Sequence, residues 1–190
     1  MATRGAYGVK IDGKYLLNYH HFDSYPGWLG KEICALVVRI NGENGWGTFR
    51  EKFLSVVPVY PGDAAPDEFV RKYWNPHEDR APGQGTVEWY NLLQGFRGAR
   101  LLSAIYDRDI HHFPVANDFL LDSACEYGYV INLDDMTLEY YRGLQRSPQP
   151  ENPHGTKPNI DGYYPCRLAA IFPLAEVTAV TFMEMLDDAD

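Results

Sequence analysis

The dipeptide Asp12-Gly13, between two runs of β-forming residues, constrains the fold of this chain more than any other feature of its sequence. Both residues tolerate the positive φ angles of a type I′ turn, so the pattern predicts a two-residue β-hairpin with strands at residues 7–11 and 15–22. In that register, residues whose numbers sum to 25 lie opposite one another. Val9 therefore faces Leu16, and further along the hairpin Arg4 faces His21.

Side chains alternate between the two faces of a strand, so this register divides the hairpin into two sets. The more apolar set is expected to face the core: Thr3, Tyr7, Val9, Ile11, Leu16, Asn18, His20 and Phe22. The other set gathers Arg4, His21 and Asp23 at one end of the sheet, beside the free amine of Ala2 that removal of the initiator Met would leave.

Arg4, His21 and Asp23 have the chemistry of a small functional site. A histidine beside a carboxylate can act as a general base while the carboxylate holds its tautomer, and an arginine can bind a carboxylate or a phosphate. We therefore predict His21, Asp23 and Arg4 as catalytic residues. The predicted ligand-binding residues are Thr3, Arg4, Tyr19, His20, Tyr25, Trp28, Lys31 and Glu126. An ion pair that caps the edge of the sheet is the alternative interpretation.

The rest of the chain predicts one domain, residues 1–190, in which helices separate the first hairpin from a second one. Apolar residues at three- and four-residue spacing predict helices over 28–40 and 45–57, with a short helix after Pro66 and a fourth from an N-cap at Thr86 to residue 96. Residues 99–107 fit a helix or a strand. Strands at 127–133 and 137–141 form the second hairpin.

Beyond that hairpin, the Pro-, Gly- and Asn-rich residues 143–165 predict a long loop. A last strand follows at 168–172, and residues 174–186 fit either a strand around 177–182 or a short helix. The predicted fold class is α+β: an antiparallel sheet built from two hairpins, with a helical block packed against it.

The net charge narrows the range of partners. Lys and Arg number 17 against 26 Asp and Glu, which leaves a formal charge of −9. Such an excess disfavours nucleic acid and anionic membrane surfaces as partners, because both need a basic footprint. A small-molecule ligand remains the expected partner, and homo-oligomer formation is left open.

The three cysteines, at positions 34, 125 and 166, show neither disulfide-framework nor zinc-site spacing. His20-His21 and His111-His112 are adjacent pairs whose members point to opposite faces of a strand, so neither pair can chelate a metal. We predict no metal and no cofactor. With no apolar run typical of a signal peptide, a cytoplasmic location is expected.

Two blocks of sequence resemble a family of uncharacterised bacterial, phage and fungal proteins. Members open with M-x-T-R and carry an H-[FW]-D-x-Y-P motif after the first hairpin; residues 1–5, 20–26 and 29–30 are similar to that pattern. Residues 119–134 are similar to a second block of the family. The resemblance implies a shared fold, but no activity.

The first strand also resembles that of N-terminal-nucleophile hydrolases, which begins with Cys, Ser or Thr. This chain departs from that pattern, because processing leaves Ala2, which has no nucleophilic atom, and Thr3 lies one residue too far along. Three functions therefore stay open: a binding protein for an anionic, nucleotide-like small molecule; a hydrolase or transferase that uses His21, Asp23 and Arg4; and a protein-interaction module.

Overall fold

A computed structural model describes residues 3–74, 86–121, 124–150 and 152–187, with a five-stranded sheet at its centre. Its strands are β1 (Gly5–Ile11), β2 (Lys14–His20), β5 (Tyr127–Asn132), β6 (Thr137–Arg142) and β7 (Arg167–Pro173). The spatial order is β2-β1-β5-β6-β7. Two further short strands, β3 (Val57–Val59) and β4 (His112–Pro114), form a separate parallel pair.

The α+β class, with a sheet made from two hairpins, is confirmed. Both hairpins are antiparallel, as is the pairing of β6 with β7. The sheet is nevertheless mixed, because β1 and β5 join the hairpins side by side in parallel, with Gly5 opposite Tyr127. This arrangement places β1 in the interior of the sheet, flanked by a strand on each side.

The register of the first hairpin is confirmed. Ile11 pairs with Lys14 and Val9 with Leu16, and both turn residues have positive φ angles, 49° at Asp12 and 72° at Gly13. The pairing continues to Gly5 opposite His20, where β2 ends. Strand pairing therefore stops short of Arg4, His21 and Asp23, the three residues of the predicted site.

The tips of the two hairpins are held together by Asp134, in the turn of the second hairpin. Its carboxylate accepts hydrogen bonds from the amides of Asp12 at 2.7 Å and Gly13 at 2.8 Å. These amides keep the pKa of Asp134 below its ordinary value. Arg50 adds an ion pair with Asp12, and its guanidinium lies 3.7 Å from Asp134.

Six α-helices lie in the described residues. They are α1 (Lys31–Gly42), α2 (Trp46–Leu54), α3 (Asp67–Tyr73), α4 (Trp89–Leu92), α5 (Ala99–Asp107) and α6 (Thr181–Asp187). The ambiguous segments at 99–107 and 174–186 thus both contain helices, and the last strand covers the predicted 168–172. None of the described helices is long and apolar enough to cross a membrane.

Two predicted helices are shorter than expected. The helix predicted over 45–57 ends at Leu54, because Val57 enters β3, where its amide donates to the carbonyl of His111 at 2.7 Å. Proline at position 58 has no amide hydrogen to continue a helix. The helix predicted from Thr86 to residue 96 is instead the single turn α4, with Glu88 rather than Thr86 at the N-cap position, followed by a 3₁₀ turn over Gln94–Phe96.

The sheet is covered on both faces. Tyr7, Val9 and Ile11 are buried in the main core against the helices, as predicted for their face. Phe22 departs from that prediction and is 52% exposed, because it lies beyond the end of β2. A smaller core on the opposite face contains Ala6, Leu17, Leu120, Cys125, Val130, Tyr141 and Cys166.

The predicted long loop 143–165 forms no strand or helix in its described residues, apart from an isolated bridge between Gln145 and Tyr164. Asn152 fastens the loop to the smaller core, because its side-chain amide donates to the carbonyl of Cys166 at 2.7 Å. His154 then packs between Tyr15 and Tyr141, with ring centroids 5.2 and 5.1 Å away. All three cysteines are buried.

Candidate functional site

A polar cleft of about 360 Å³ opens where β2 ends and the chain turns toward α1. Its walls come from the segment after β2, the start of α1, and the segment that leads into α5. The lining residues are His20, His21, Phe22, Asp23, Trp28, Glu32, Gln94, Gly95, Arg97 and Arg100.

The first wall is shaped by an unusual backbone path. Asp23 has a φ of 51°, a left-handed conformation that few residues other than glycine and asparagine adopt. Its carbonyl accepts the amide of Leu29 at 3.3 Å, across a single π-helical turn over Pro26–Gly30 that precedes α1. Such turns are rare and frequently mark functional sites. The turn buries Leu29 and leaves Trp28 53% exposed at the cleft.

Ser24 anchors this wall from inside the protein. The residue is fully buried. Its amide donates to the Thr3 hydroxyl at 3.0 Å, and its carbonyl accepts from the Tyr129 hydroxyl at 2.9 Å. Its own hydroxyl lies 3.0 Å from Nδ1 of His20 and donates to the His20 carbonyl at 3.3 Å. The His20 ring is therefore hydrogen-bonded to a fully buried residue whose backbone is itself held by Thr3 and Tyr129.

Burial determines the protonation state of His20. Desolvation, helped by the positive charge of Arg97, lowers the pKa of this imidazole from 6.5 to about 4, against an opposing effect of Asp23. His20 is therefore a neutral hydrogen-bonding group in the cleft at physiological pH. The Tyr7 ring packs edge-on against it, with the centroids 5.9 Å apart.

The second wall is positioned by Gly98, which precedes α5 with a φ of 61°. Its amide faces the hydroxyl of Tyr7 and lowers the pKa of that phenol against the larger effect of burial. The Tyr7 hydroxyl is fully buried and accepts a hydrogen bond from Asn18 at 2.9 Å. A Cβ at position 98 would lie 2.9 Å from Leu29 and 3.3 Å from His20. Only glycine satisfies both the backbone angle and the close approach. The contact holds the Arg97–Arg100 segment against the end of the first hairpin.

The cleft contains two cations and two anions. Arg97 donates to the Tyr90 hydroxyl at 3.0 Å and lies over the Tyr90 ring, 5.1 Å from its centroid. Arg100 is exposed on the first turn of α5. Burial raises the pKa of Glu32, and the charge of Arg100 opposes that shift. Asp23 supplies the second carboxylate.

Four of the predicted site residues line this cleft: His20, His21, Asp23 and Trp28. His21 and Asp23 face the same space, but no hydrogen bond joins them among the described contacts. Nδ1 of His21 instead makes a short contact with the Tyr19 hydroxyl. The orienting group for His21 is therefore a phenol rather than the predicted carboxylate.

Arg4, expected opposite His21, does not line the cleft. It precedes the first paired residue of β1 and its side chain is exposed, with no ion pair to His21 or Asp23 in the described chain. Glu126 contacts the backbone of Arg4 rather than its guanidinium: the Arg4 amide donates to its carboxylate at 3.1 Å, and the Glu126 amide donates to the Arg4 carbonyl at 2.9 Å. The predicted three-residue cluster is therefore not assembled.

The remaining predicted ligand-binding residues lie around the cleft rather than in it. Thr3 supports Ser24, as described above, and Tyr19 packs against Phe119 at 4.7 Å on the other face of the hairpin. Tyr25 precedes the π-helical turn. Lys31 points toward α6, where its ammonium lies 5.8 Å from the Phe182 ring centroid.

Sequence reasoning missed the entire second wall of the cleft. No motif marks Gln94, Gly95, Arg97 or Arg100. Glu32 occupies the first turn of a helix, where an acidic residue is ordinary. The one available signal was Gly98 beside two arginines, just before a helical run. Its proximity to the first hairpin depends on the buried Tyr7 contact, which sequence spacing cannot reveal.

A second depression of about 590 Å³ lies between β2, Tyr60, residues 115–121 and His154. Its lining is more apolar, and none of the predicted site residues contributes to it. We therefore base the functional argument on the polar cleft, where titratable groups from separate segments converge.

No protein-family model, curated protein or solved structure matches this chain. The resemblance of residues 1–30 and 119–134 to the uncharacterised family stays a prediction, and so does the functional role of each site residue.

Proposed function

We propose that this protein binds a small anionic ligand, nucleotide-like in carrying both a ring and an acidic group, in the polar cleft. The observation that carries the proposal is that Arg97, Arg100 and the exposed ring of Trp28 line the same cleft. A guanidinium is the side chain best suited to a planar or tetrahedral anion, because its N–H groups form a rigid fork. An exposed indole offers a surface for a stacked ring.

The two arginines place positive charge in the cleft of a protein whose net charge is negative. A net charge of −9 repels anions at long range. Binding therefore depends on local contacts, and Arg97 is already oriented by its hydrogen bond to Tyr90. Such preorganisation reduces the side-chain entropy that is lost when a ligand binds.

A hydrolase or transferase activity is the second candidate. This mechanism needs a carboxylate partner for His21, but among the described residues no carboxylate pairs with it, and its Nδ1 contacts Tyr19. His20 faces the cleft, but a pKa of about 4 makes it a weak general base near neutral pH. Binding is therefore the function that the geometry supports better.

The test is calorimetric titration with phosphate-bearing metabolites, beginning with nucleoside monophosphates, on the wild type and on Arg97→Ala, Arg100→Ala and Arg4→Ala. Loss of one charge-assisted contact is expected to weaken binding about tenfold for either cleft arginine. Arg4→Ala is expected to leave affinity unchanged.

Arg71→Ala is the matched control, because Arg71 is an exposed arginine on α3 that does not line the cleft. Equal affinities for the wild type and both cleft variants would refute the proposal. A selective loss in Arg4→Ala would instead place the anion at the start of the hairpin.

A further inference from the structure

The hydrogen-bonding pattern around Ser24 determines which nitrogen of His20 carries the proton. The Ser24 hydroxyl has one hydrogen and two neighbours within reach, the carbonyl of His20 and Nδ1 of the same residue. A carbonyl oxygen can only accept, whereas an imidazole nitrogen can donate or accept. Both contacts are satisfied only if the hydroxyl donates to the carbonyl and Nδ1–H donates to the hydroxyl.

With the proton on Nδ1, the other nitrogen carries a lone pair. Nε2 lies on the side of the second wall, where a Cβ on Gly98 would approach it to 3.3 Å. It has no hydrogen-bond partner within the described ranges, and it is not one of the buried unpaired atoms there. It belongs to a residue that lines the cleft. Since the pKa of His20 is about 4, the ring keeps this neutral form well below pH 7.

Two carboxylates add further acceptors to this cleft. Asp23 and Glu32 contribute carboxylates to the same cleft as His20. An anion held by the two arginines would share a cleft of about 360 Å³ with these three acceptor groups. An anion without hydrogen atoms would place its lone pairs next to the lone pairs of these acceptors, which is unfavourable. An anion that carries a hydroxyl could donate a hydrogen bond to one of them.

We infer that the cleft selects anions that bring their own hydrogen-bond donor, so that a protonated phosphate group is bound in preference to sulfate. His20 is then a specificity-determining residue and Ser24 a positioning residue that sets its tautomer. This inference rests on the proposed function, because it needs the arginines to hold the anion in the same cleft.

The test compares inorganic phosphate with sulfate at pH 6.0 and constant ionic strength, with chemical shifts of the protein followed by NMR. Both anions are tetrahedral and similar in size, but phosphate carries hydroxyl groups at this pH and sulfate does not. Sulfate has the larger charge, so simple attraction to arginine would favour it. We expect phosphate to bind about tenfold more tightly, since sulfate leaves the acceptors unpaired.

Three variants test the role of His20. His20→Phe is expected to abolish the preference, whereas His20→Gln keeps an acceptor oxygen on a side chain of similar reach and is expected to retain part of it. Ser24→Ala removes the hydroxyl that fixes the His20 tautomer and should reduce the preference for phosphate over sulfate to less than about threefold. Because Ser24 is fully buried and its substitution also tests folding, the His20 tautomer is read directly in the wild type from the imidazole ¹⁵N shifts as well. A proton on Nε2 would overturn the inference.

Failure of the inference is distinguishable from failure of the proposed function. If phosphate and sulfate bind equally and both weaken in Arg100→Ala, the inference is wrong and the anion site stands. If neither anion binds, or if both bind unchanged in Arg97→Ala and Arg100→Ala, the anion site itself is refuted.

Discussion

Replacing Tyr7 with phenylalanine tests how the two walls of the cleft are joined. Tyr7 is fully buried in β1, its hydroxyl accepts a hydrogen bond from the side chain of Asn18, and the amide of Gly98 faces the same oxygen. Tyr7→Phe removes one oxygen atom and leaves the ring in place. Two donors lose their acceptor without a large change in packing.

The expected cost follows from what each donor can do afterwards. A buried donor left without a partner costs about 1–3 kcal/mol. The Gly98 amide belongs to a buried residue and has no alternative acceptor among the described contacts, whereas Asn18 is half-buried and can turn toward water. We therefore expect the free energy of unfolding to fall by about 2–3 kcal/mol. For a chain of this size, that loss corresponds to a Tm roughly 4–12 °C lower.

Urea denaturation at pH 7 measures the change, with Tyr25→Phe as the control. Tyr25 is 37% exposed, and removal of its hydroxyl is expected to change stability by less than about 0.5 kcal/mol. Native-state hydrogen exchange should show faster exchange of the Gly98 amide in Tyr7→Phe. If Tyr7→Phe is no more destabilising than Tyr25→Phe, the contact does not hold the second wall.

Three further perturbations have defined outcomes. Gly98→Ala should lower stability by about 2 kcal/mol and weaken anion binding, because position 98 needs a positive φ and a Cβ there would press on His20; unchanged urea midpoints would contradict this. Asp134→Asn should cost about 1–2 kcal/mol at pH 7. Because the folded pKa of Asp134 is depressed, its stabilising effect is present above the ordinary aspartate pKa and is lost as the pH falls through the folded value, so the two proteins should converge in acid unfolding curves. For His20 and His154, burial lowers the pKa from 6.5 to about 4, so the unfolded chain binds more protons between those values and stability should fall as the pH drops through that window. A double variant with glutamine at both positions should show a flatter pH dependence of the urea midpoint from pH 6.5 to 4.

Local signals in the sequence were sufficient to predict both hairpins. The turn at Asp12-Gly13 needs positive φ at both residues, and that requirement alone determined the strand register. Period-two alternation then predicted which side of β1 meets the main core. No local signal specified the parallel pairing of β1 with β5, because that contact joins residues more than a hundred positions apart.

The candidate site was only partly predictable for a related reason. The register argument assumed that strand geometry continues to residue 23, but pairing stops at Gly5 and His20. Beyond that point the left-handed backbone at Asp23 redirects the chain, so alternation no longer determines where a side chain points. His21 and Asp23 still reach a common cleft, while Arg4, just before the start of β1, does not line it.

The position of the cleft also depends on β5, although no side chain of β5 lines the cleft. β1 and β5 run parallel, so both begin at the edge of the sheet where β2 ends. Tyr129 on β5 therefore reaches the carbonyl of Ser24, whose hydroxyl in turn holds His20. The parallel junction between the hairpins thus does more than complete the sheet. It places the buried Tyr129 phenol behind the first wall. The orientation of His20 therefore depends on the pairing of two strands that are far apart in the sequence.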